Sequence, residues 1–425
     1  MAGSRGQGLL EPGAAFPRDG RARAPLRLGV IGLGAVAQAV HLPLVAKHPD
    51  LFRCAALCDL SRASLDVLGE RAGVPDDARF AEAGELLEEA ELDAVAVLTS
   101  GSHGGLAFEA ARRGLAVFCE KPLAFTLAEA DALAELEPRL ALGYMKLYDP
   151  AVERAREALE GRPPARSVEV TVLHPTSAAQ LAHAGLLPAP ADLDAATLEE
   201  LRTAEDALVE AALGDVPPEI ARAYVDVLAG SIVHELAVIR YLLGEPLTVD
   251  DADAWPETPG AAPPSVALTG RLAGGARVSI RWHYLPSYPA YREQVSVHDE
   301  AGSVTLVFPS PYLLHAPTTL TVTDVAGGGE QTTRFRSTAE AFERQWLAFA
   351  ELALEGAAPR AGVAEGRADI VVCQQAAAAL AARRGVRPGG EAAGRPPANH
   401  EAGFGVETRD GRGPSMSPVD KEGTQ

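Results

Sequence analysis

A strand, a glycine turn and a helix follow one another in "LRLGVIGLGAVAQAVHLPLVAK", residues 26–47. The apolar run to Ile31 reads as a buried strand, and the segment from Ala35 to Lys47 has helical patterning. Between them lies Gly-x-Gly-x-x-Ala: Gly32, Gly34 and Ala37. Alone that motif is weak, but after a strand and before a helix it has a mechanism. Gly32 permits a tight turn, Gly34 lets backbone approach a pyrophosphate, and Ala37 lets the helix pack on the strand. The helix start at Ala35 and Val36 then offers free N–H groups to phosphate.

The pattern repeats. "FRCAALCD" is a second strand, ending at Asp59, and "SRASLDVLGERAG" is a helix with Ser61 as N-cap. "LDAVAVLTS", "LAVFCEKP" and "RLALGYM" read as further strands, alternating with the helices "AGELLEEA", "HGGLAFEAARRG" and "TLAEADALAELE". Such alternation predicts an α/β domain, a parallel sheet covered on both faces, over 25–149. Asp59 lies about twenty residues past the glycine turn, where an acid binds ribose hydroxyls. That favours NAD; Arg62 nearby keeps NADP open.

The second half changes character. One strand, "ARSVEVTVLH", is followed by an Ala/Leu/Glu-rich stretch from Ala191 to Gly244, helical in pieces and broken at Pro217-Pro218. Then come "SVALTGRL", "ARVSIRWHY", "YREQVSVHD", "GSVTLVF", "TTLTVTDV" and "EQTTRFRS", with turns at Gly274-Gly275 and Ala301-Gly302. Two helical segments close the pattern. This predicts an α+β domain with a mostly antiparallel open sheet over 150–384. Alternation in "ARVSIRWHY" puts Val278, Ile280, Trp282 and Tyr284 on one face and Arg277, Ser279, Arg281 and His283 on the other. The basic face suits a second subunit or a substrate.

Residues 1–24 and 385–425 read as disordered tails, rich in Gly, Pro, Ala and Arg. A net charge of −20 argues against nucleic-acid or anionic-membrane partners. Four cysteines in 425 residues build no disulfide framework, and no Cys/His cluster has metal spacing. No apolar run spans a bilayer. Arg21, Arg23 and Arg27 before "LGVIGLGAVAQA" imitate a secretory leader, but cleavage near Ala39 would remove the strand and turn that the fold needs. The expected location is cytoplasmic.

With Glu120-Lys121-Pro122, the chain resembles the Gfo/Idh/MocA family of sugar and cyclitol oxidoreductases. The resemblance rests on "VIGLGAVA", "TSGSHGGLAFEAARRGLAVFCEKPLA", "GYMKLYDP" and "SIVHELAVIRYLLGEP", in that order, between about Leu26 and Arg384. It implies an NAD(P)-dependent oxidoreductase acting on a CH–OH group of a sugar, cyclitol or polyol, and a dimer or tetramer built through the C-terminal sheet. It places Thr99, His103, Glu120 and Lys121 near the cofactor. Lys121 would favour a developing alkoxide, and His234 would take the hydroxyl proton as catalytic base. Tyr144, Lys146 and His174 are further substrate-binding candidates, and Pro122 a candidate cis proline. His103 either caps its helix or touches the nicotinamide half.

One departure stands out. The family commonly carries an aspartate four residues before this histidine; here that position is Gly230. Glu235 points about 100° away around a helix, and Asp226 lies two turns back. Either another residue substitutes, or His234 works alone, or the chemistry differs. A nucleotide-binding regulatory protein and an NAD-dependent glycoside hydrolase are the alternative readings. The insertion from Thr176 to Val225 is expected to shape the pocket.

Overall fold

The computed structural model describes residues 24–256 and 262–395. Most of both predicted tails, 1–23 and 396–425, lies outside the described residues.

Six short strands form the first sheet: β1 (Leu26–Ile31), β2 (Phe52–Cys58), β3 (Arg79–Phe80), β4 (Ala94–Val97), β5 (Ala116–Cys119) and β6 (Leu140–Leu142). Their order is β3-β2-β1-β4-β5-β6, and every pairing is parallel. All residues of β4 and β5 are buried, as a sheet covered on both faces requires. The direction of strand addition reverses between β1 and β4, so a crevice opens at their carboxyl ends. The helices start where local chemistry directs. Ser61 accepts from the Ser64 amide to cap Arg62–Ala72, which stops at Gly73 with φ of 69°. Thr126 and Glu129 form a capping box for Leu127–Glu135.

The second sheet has eight strands: β7 (Ser167–His174), β8 (Leu247–Trp255), β9 (Ser265–Leu272), β10 (Arg277–Tyr284), β11 (Arg292–Asp299), β12 (Gly302–Phe308), β13 (Thr319–Ala326) and β14 (Gly329–Arg336). Their order is β14-β13-β12-β11-β7-β10-β9-β8, with only β7 and β10 parallel. The mostly antiparallel expectation is met. Strand β8, "LTVDDADAW", was not anticipated; its three aspartates mask the apolar alternation. Val278, Ile280 and Trp282 are buried beneath helices while Arg277 and Arg281 are exposed, which is the predicted facing.

Two boundaries need correction. The helix Ala341–Glu355, assigned to the second domain, packs on the first sheet. Trp346 stacks on Phe118 at 4.4 Å and meets Phe52 edge-on at 5.2 Å. Aromatic burial of this kind outweighs proximity along the chain. Residues 385–395, placed in the tail, are also structured. Glu391 accepts the Leu127 and Ala128 amides at 2.7 and 2.9 Å, supplying acceptors to first-turn donors. The cysteines are free, and burial raises Cys54 and Cys58 to about 12, so they stay protonated thiols.

Candidate active site

The glycine turn sits at the mouth of the crevice. Gly32 has φ of 95°, and a Cβ there would lie 2.8 Å from the Leu98 carbonyl carbon and the Thr99 nitrogen. Only glycine fits that approach. A Cβ on Gly34 would meet nothing within 4 Å, so the backbone faces open space. Ala35 and Val36 open the helix, and Ala37 is buried against the strand as expected. The Thr99 hydroxyl oxygen is buried and lacks a hydrogen-bond partner. An open backbone cradle beside an orphaned hydroxyl fits a dinucleotide phosphate. Asp59 stands at the end of β2. Its two oxygens accept the Leu33 and Ser61 amides at 2.8 and 2.9 Å, which leaves lone pairs for ribose. Arg62, exposed at the surface, pairs with Asp66 at 2.9 Å and also with Asp76.

After β5 the chain turns through Glu120, Lys121 and cis Pro122. Glu120 is anchored from behind. The Trp346 indole donates to His41 Nδ1 at 3.1 Å, so the ring proton sits on Nε2 and is donated to Glu120 Oε1 at 3.2 Å. Glu120 Oε2 accepts the Lys121 amide at 3.1 Å. Burial alone would raise the Glu120 carboxyl, but the His41 bond and nearby positive charge hold it below its ordinary value. Its role is to position the Lys121 backbone. His103 occupies the N-cap position but makes no side-chain cap bond, which removes the capping alternative; its ring nitrogens face the carbonyls of Pro122 at 2.6 Å and Thr99 at 2.8 Å. It ties the loops after β4 and β5 together.

Lys121 reaches across to the second domain, where its ammonium donates to the Gly230 carbonyl. Burial lowers its pKa, opposed by Glu120 and Glu235. Gly230 lies in a π-helical stretch, Ala223–Ile232, which continues as the α-helix Val233–Leu243. A Cβ at Gly230 would lie 2.8 Å from the Val225 carbonyl oxygen. The widened turn therefore excludes any side chain there, aspartate included, and uses the Gly230 carbonyl to hold Lys121 instead. π-bulges of this kind concentrate at functional sites.

His234 follows on that helix. Its Nδ1 is buried without a partner, and its ring meets the Tyr144 ring edge-on at 5.9 Å. Burial first, then the Lys146 and Lys121 charges, push its pKa well below the ordinary value. It is therefore a neutral imidazole at pH 7. His174, at the end of β7, also has an orphaned buried Nδ1 and lies 5.0 Å from the Trp282 ring. Burial lowers its pKa too, with Lys121 and Lys146 contributing. Both imidazoles thus sense the charges of the same two lysines.

Two expectations are corrected. Tyr144 is no free hydroxyl: it donates to Asp369 at 2.6 Å, and Asp369 is held by Arg240. Lys146 is 6% exposed and spans Glu235 and Glu293, the former at 2.9 Å. Burial would lower its pKa, but those carboxylates outweigh it. Glu235 is raised to about 8, chiefly by burial and against the pull of Lys146. Tyr291 completes this wall by donating to Glu293 at 2.6 Å. Glu293, Tyr291, His41 and Trp346 carried no sequence signal. Glu293, His41 and Trp346 act through partners remote in sequence, and Tyr291 acts through Glu293, two residues on.

Residues 26–148 match the family model described as an oxidoreductase family with an NAD-binding Rossmann fold. This domain belongs to the Gfo/Idh/MocA family. The chain is 29% identical over 297 residues to inositol 2-dehydrogenase 2 of Paenarthrobacter aurescens, covering 66% of this chain and 75% of that protein. It is 31% identical over 140 residues to myo-inositol 2-dehydrogenase of Thermotoga maritima, an alignment spanning 32% of this chain and 41% of that relative. Among family structures, myo-inositol 2-dehydrogenase from Lactobacillus plantarum superposes with a TM-score of 0.61 at 18% identity, over 85% of this chain and 98% of that one. The WlbA dehydrogenase from Bordetella pertussis, in complex with NADH and UDP-GlcNAcA, gives 0.60 at 17% identity, over 86% and 98%. The two-sheet architecture is thus shared along nearly the whole length of the solved relatives. Among the described residues no helix is long and apolar enough to cross a membrane, and no group of three or more ligating side chains could hold a metal ion.

Proposed function

We propose that this protein is an NAD-dependent oxidoreductase that moves a hydride to or from a carbinol carbon of a cyclitol or related polyol. One observation carries the reading. A half-buried lysine and a neutral histidine with an orphaned nitrogen converge beside the crevice that the glycine turn opens. Gly32, Gly34, Ala35 and Val36 would hold the pyrophosphate, Asp59 the adenosine ribose, and Thr99 the catalytic end, with Lys121 beside it facing the substrate. The dinucleotide, when bound, supplies the hydride acceptor or donor.

The protein's own residues manage the proton. His234, neutral at pH 7, accepts it from the substrate hydroxyl during oxidation and returns it during reduction. Lys121 donates a hydrogen bond to the same oxygen and stabilises the developing alkoxide. To do so it exchanges the Gly230 carbonyl for substrate. His174 supplies a further orphaned nitrogen to a polyol hydroxyl, a need that polyols meet with both donors and acceptors. We assign self-association to the open face of the eight-stranded sheet, where Arg281 and Glu169 are exposed, and place the enzyme in the cytoplasm.

A panel of cyclitols and sugars, followed by NADH absorbance, tests the activity. Turnover of a polyol that disappears in Lys121→Ala and His234→Ala, with dinucleotide binding retained, is the expected result. Dinucleotide binding without turnover of any substrate would favour a regulatory protein. Release of an aglycone without net NADH would favour hydrolysis.

A further inference from the structure

The insertion crosses the nucleotide cleft. Between helices Ser177–Leu181 and Ala195–Leu213, the chain forms a strap with two attachments to the first domain. At one lip, the Leu187 amide donates to Gln38 Oε1 at 2.9 Å, and Gln38 Nε2 donates to the Leu33 carbonyl at 2.8 Å. Gln38 thus clips the strap to the glycine turn itself. At the other lip, Asp192 accepts the Ser61 hydroxyl at 2.8 Å and the Ala63 amide at 2.9 Å. These two anchors flank Asp59.

Ser61 and Ala63 are the N-cap and second residue of the helix after β2. That helix start attracts anions. It is also the place nearest the ribose 2′ position when an acid such as Asp59 binds the ribose. A 2′-phosphate needs free amides or a free cation there. Asp192 takes the amide and the hydroxyl, Arg62 is committed to Asp66 and Asp76, and Asp59 adds negative charge. Ala63 and Ser61 hold the Asp192 carboxyl below its ordinary value, so it remains charged.

We propose that Asp192 is a cofactor-specificity residue: the strap closes over the adenosine half of the cleft, and its carboxylate excludes a dinucleotide bearing a 2′-phosphate. The inference rests on the dinucleotide reading above. It assigns selectivity to a residue delivered from the second domain, so selection requires the strap to be seated.

Direct binding separates the two. The full-length protein, wild type and Asp192→Asn, is titrated with NADH and NADPH by calorimetry, with thermal melts to confirm folding. Asparagine keeps one acceptor, for the Ala63 amide, turns an N–H toward the Ser61 hydroxyl, and removes the charge. The substitution should raise NADPH affinity about tenfold or more, because a like charge beside the phosphate is gone. NADH affinity should change by less than about threefold. The wild-type preference for NADH should also shrink from low to high salt, since the carboxylate is solvent-accessible. An unchanged NADPH-to-NADH ratio in Asp192→Asn, with NADH still bound, overturns the role of Asp192 alone. A folded wild type that binds neither dinucleotide overturns the cofactor reading and this inference with it.

Discussion

The glycine turn and the charged wall around Lys146 are built in contrasting ways. The turn uses backbone. Gly32, Gly34 and the helix start work through φ, bare Cα atoms and unpaired amides, all within six residues of one another. The wall uses side chains. Lys146, Glu235, Tyr291 and Glu293 come from separated segments and are meaningful only as a set. A backbone site tolerates drift in the surrounding sequence. A buried charged set does not, because removing one member leaves another uncompensated.

The contrast can be broken at several points. The largest effect should come from Lys121→Ala. Turnover should fall about a thousandfold, while NADH affinity, measured by fluorescence titration, stays nearly constant. Equal losses in both would make Lys121 a cofactor anchor instead. Next, Lys146→Met should cost about 3–5 kcal/mol of stability in urea denaturation, since it strands Glu293. A loss under about 1 kcal/mol would show that water reaches this wall. Gly32→Ala should cost about 1–3 kcal/mol through strain at positive φ, and should also weaken NADH binding. Binding that is unchanged would detach the turn from the cofactor.

The smallest effect concerns pH. Glu235 has a folded pKa of about 8 against an ordinary 4.5, so protonation favours the folded state. Its contribution is full below 4.5 and lost as pH rises through about 8. The melting temperature of the wild type should therefore decline across that window more steeply than that of Glu235→Gln, which mimics the protonated acid. Parallel profiles would assign the proton to another member of the set.

Much of the nucleotide half was legible because its signals are local. Strand, turn, helix and acid follow in fixed order, and Lys121 stands beside a proline at a strand end. Gly230 was legible only as a departure. Its meaning came from the π-helical turn, which depends on packing of Ala223–Ile232 against its neighbours and has no residue signature. Tyr144 and Lys146 lay in the right place but had been given the wrong work. Whether a tyrosine meets substrate or Asp369 depends on a residue more than two hundred positions away. Arg62 likewise has partners, Asp66 and Asp76, that only the folded chain brings beside it.

By itself, then, the sequence determined the two sheets, the glycine turn, the lysine after β5 and the position of His234. These follow from periodicity and from residues whose conformational demands act over a few neighbours. The tertiary structure decided which charges are spent on one another, that Ala341–Glu355 returns to the first sheet, and that Asp192 reaches the start of the helix after β2. Those outcomes depend on pairings between segments far apart in the chain. Such pairings are set by which groups burial brings together, and no single segment carries that information.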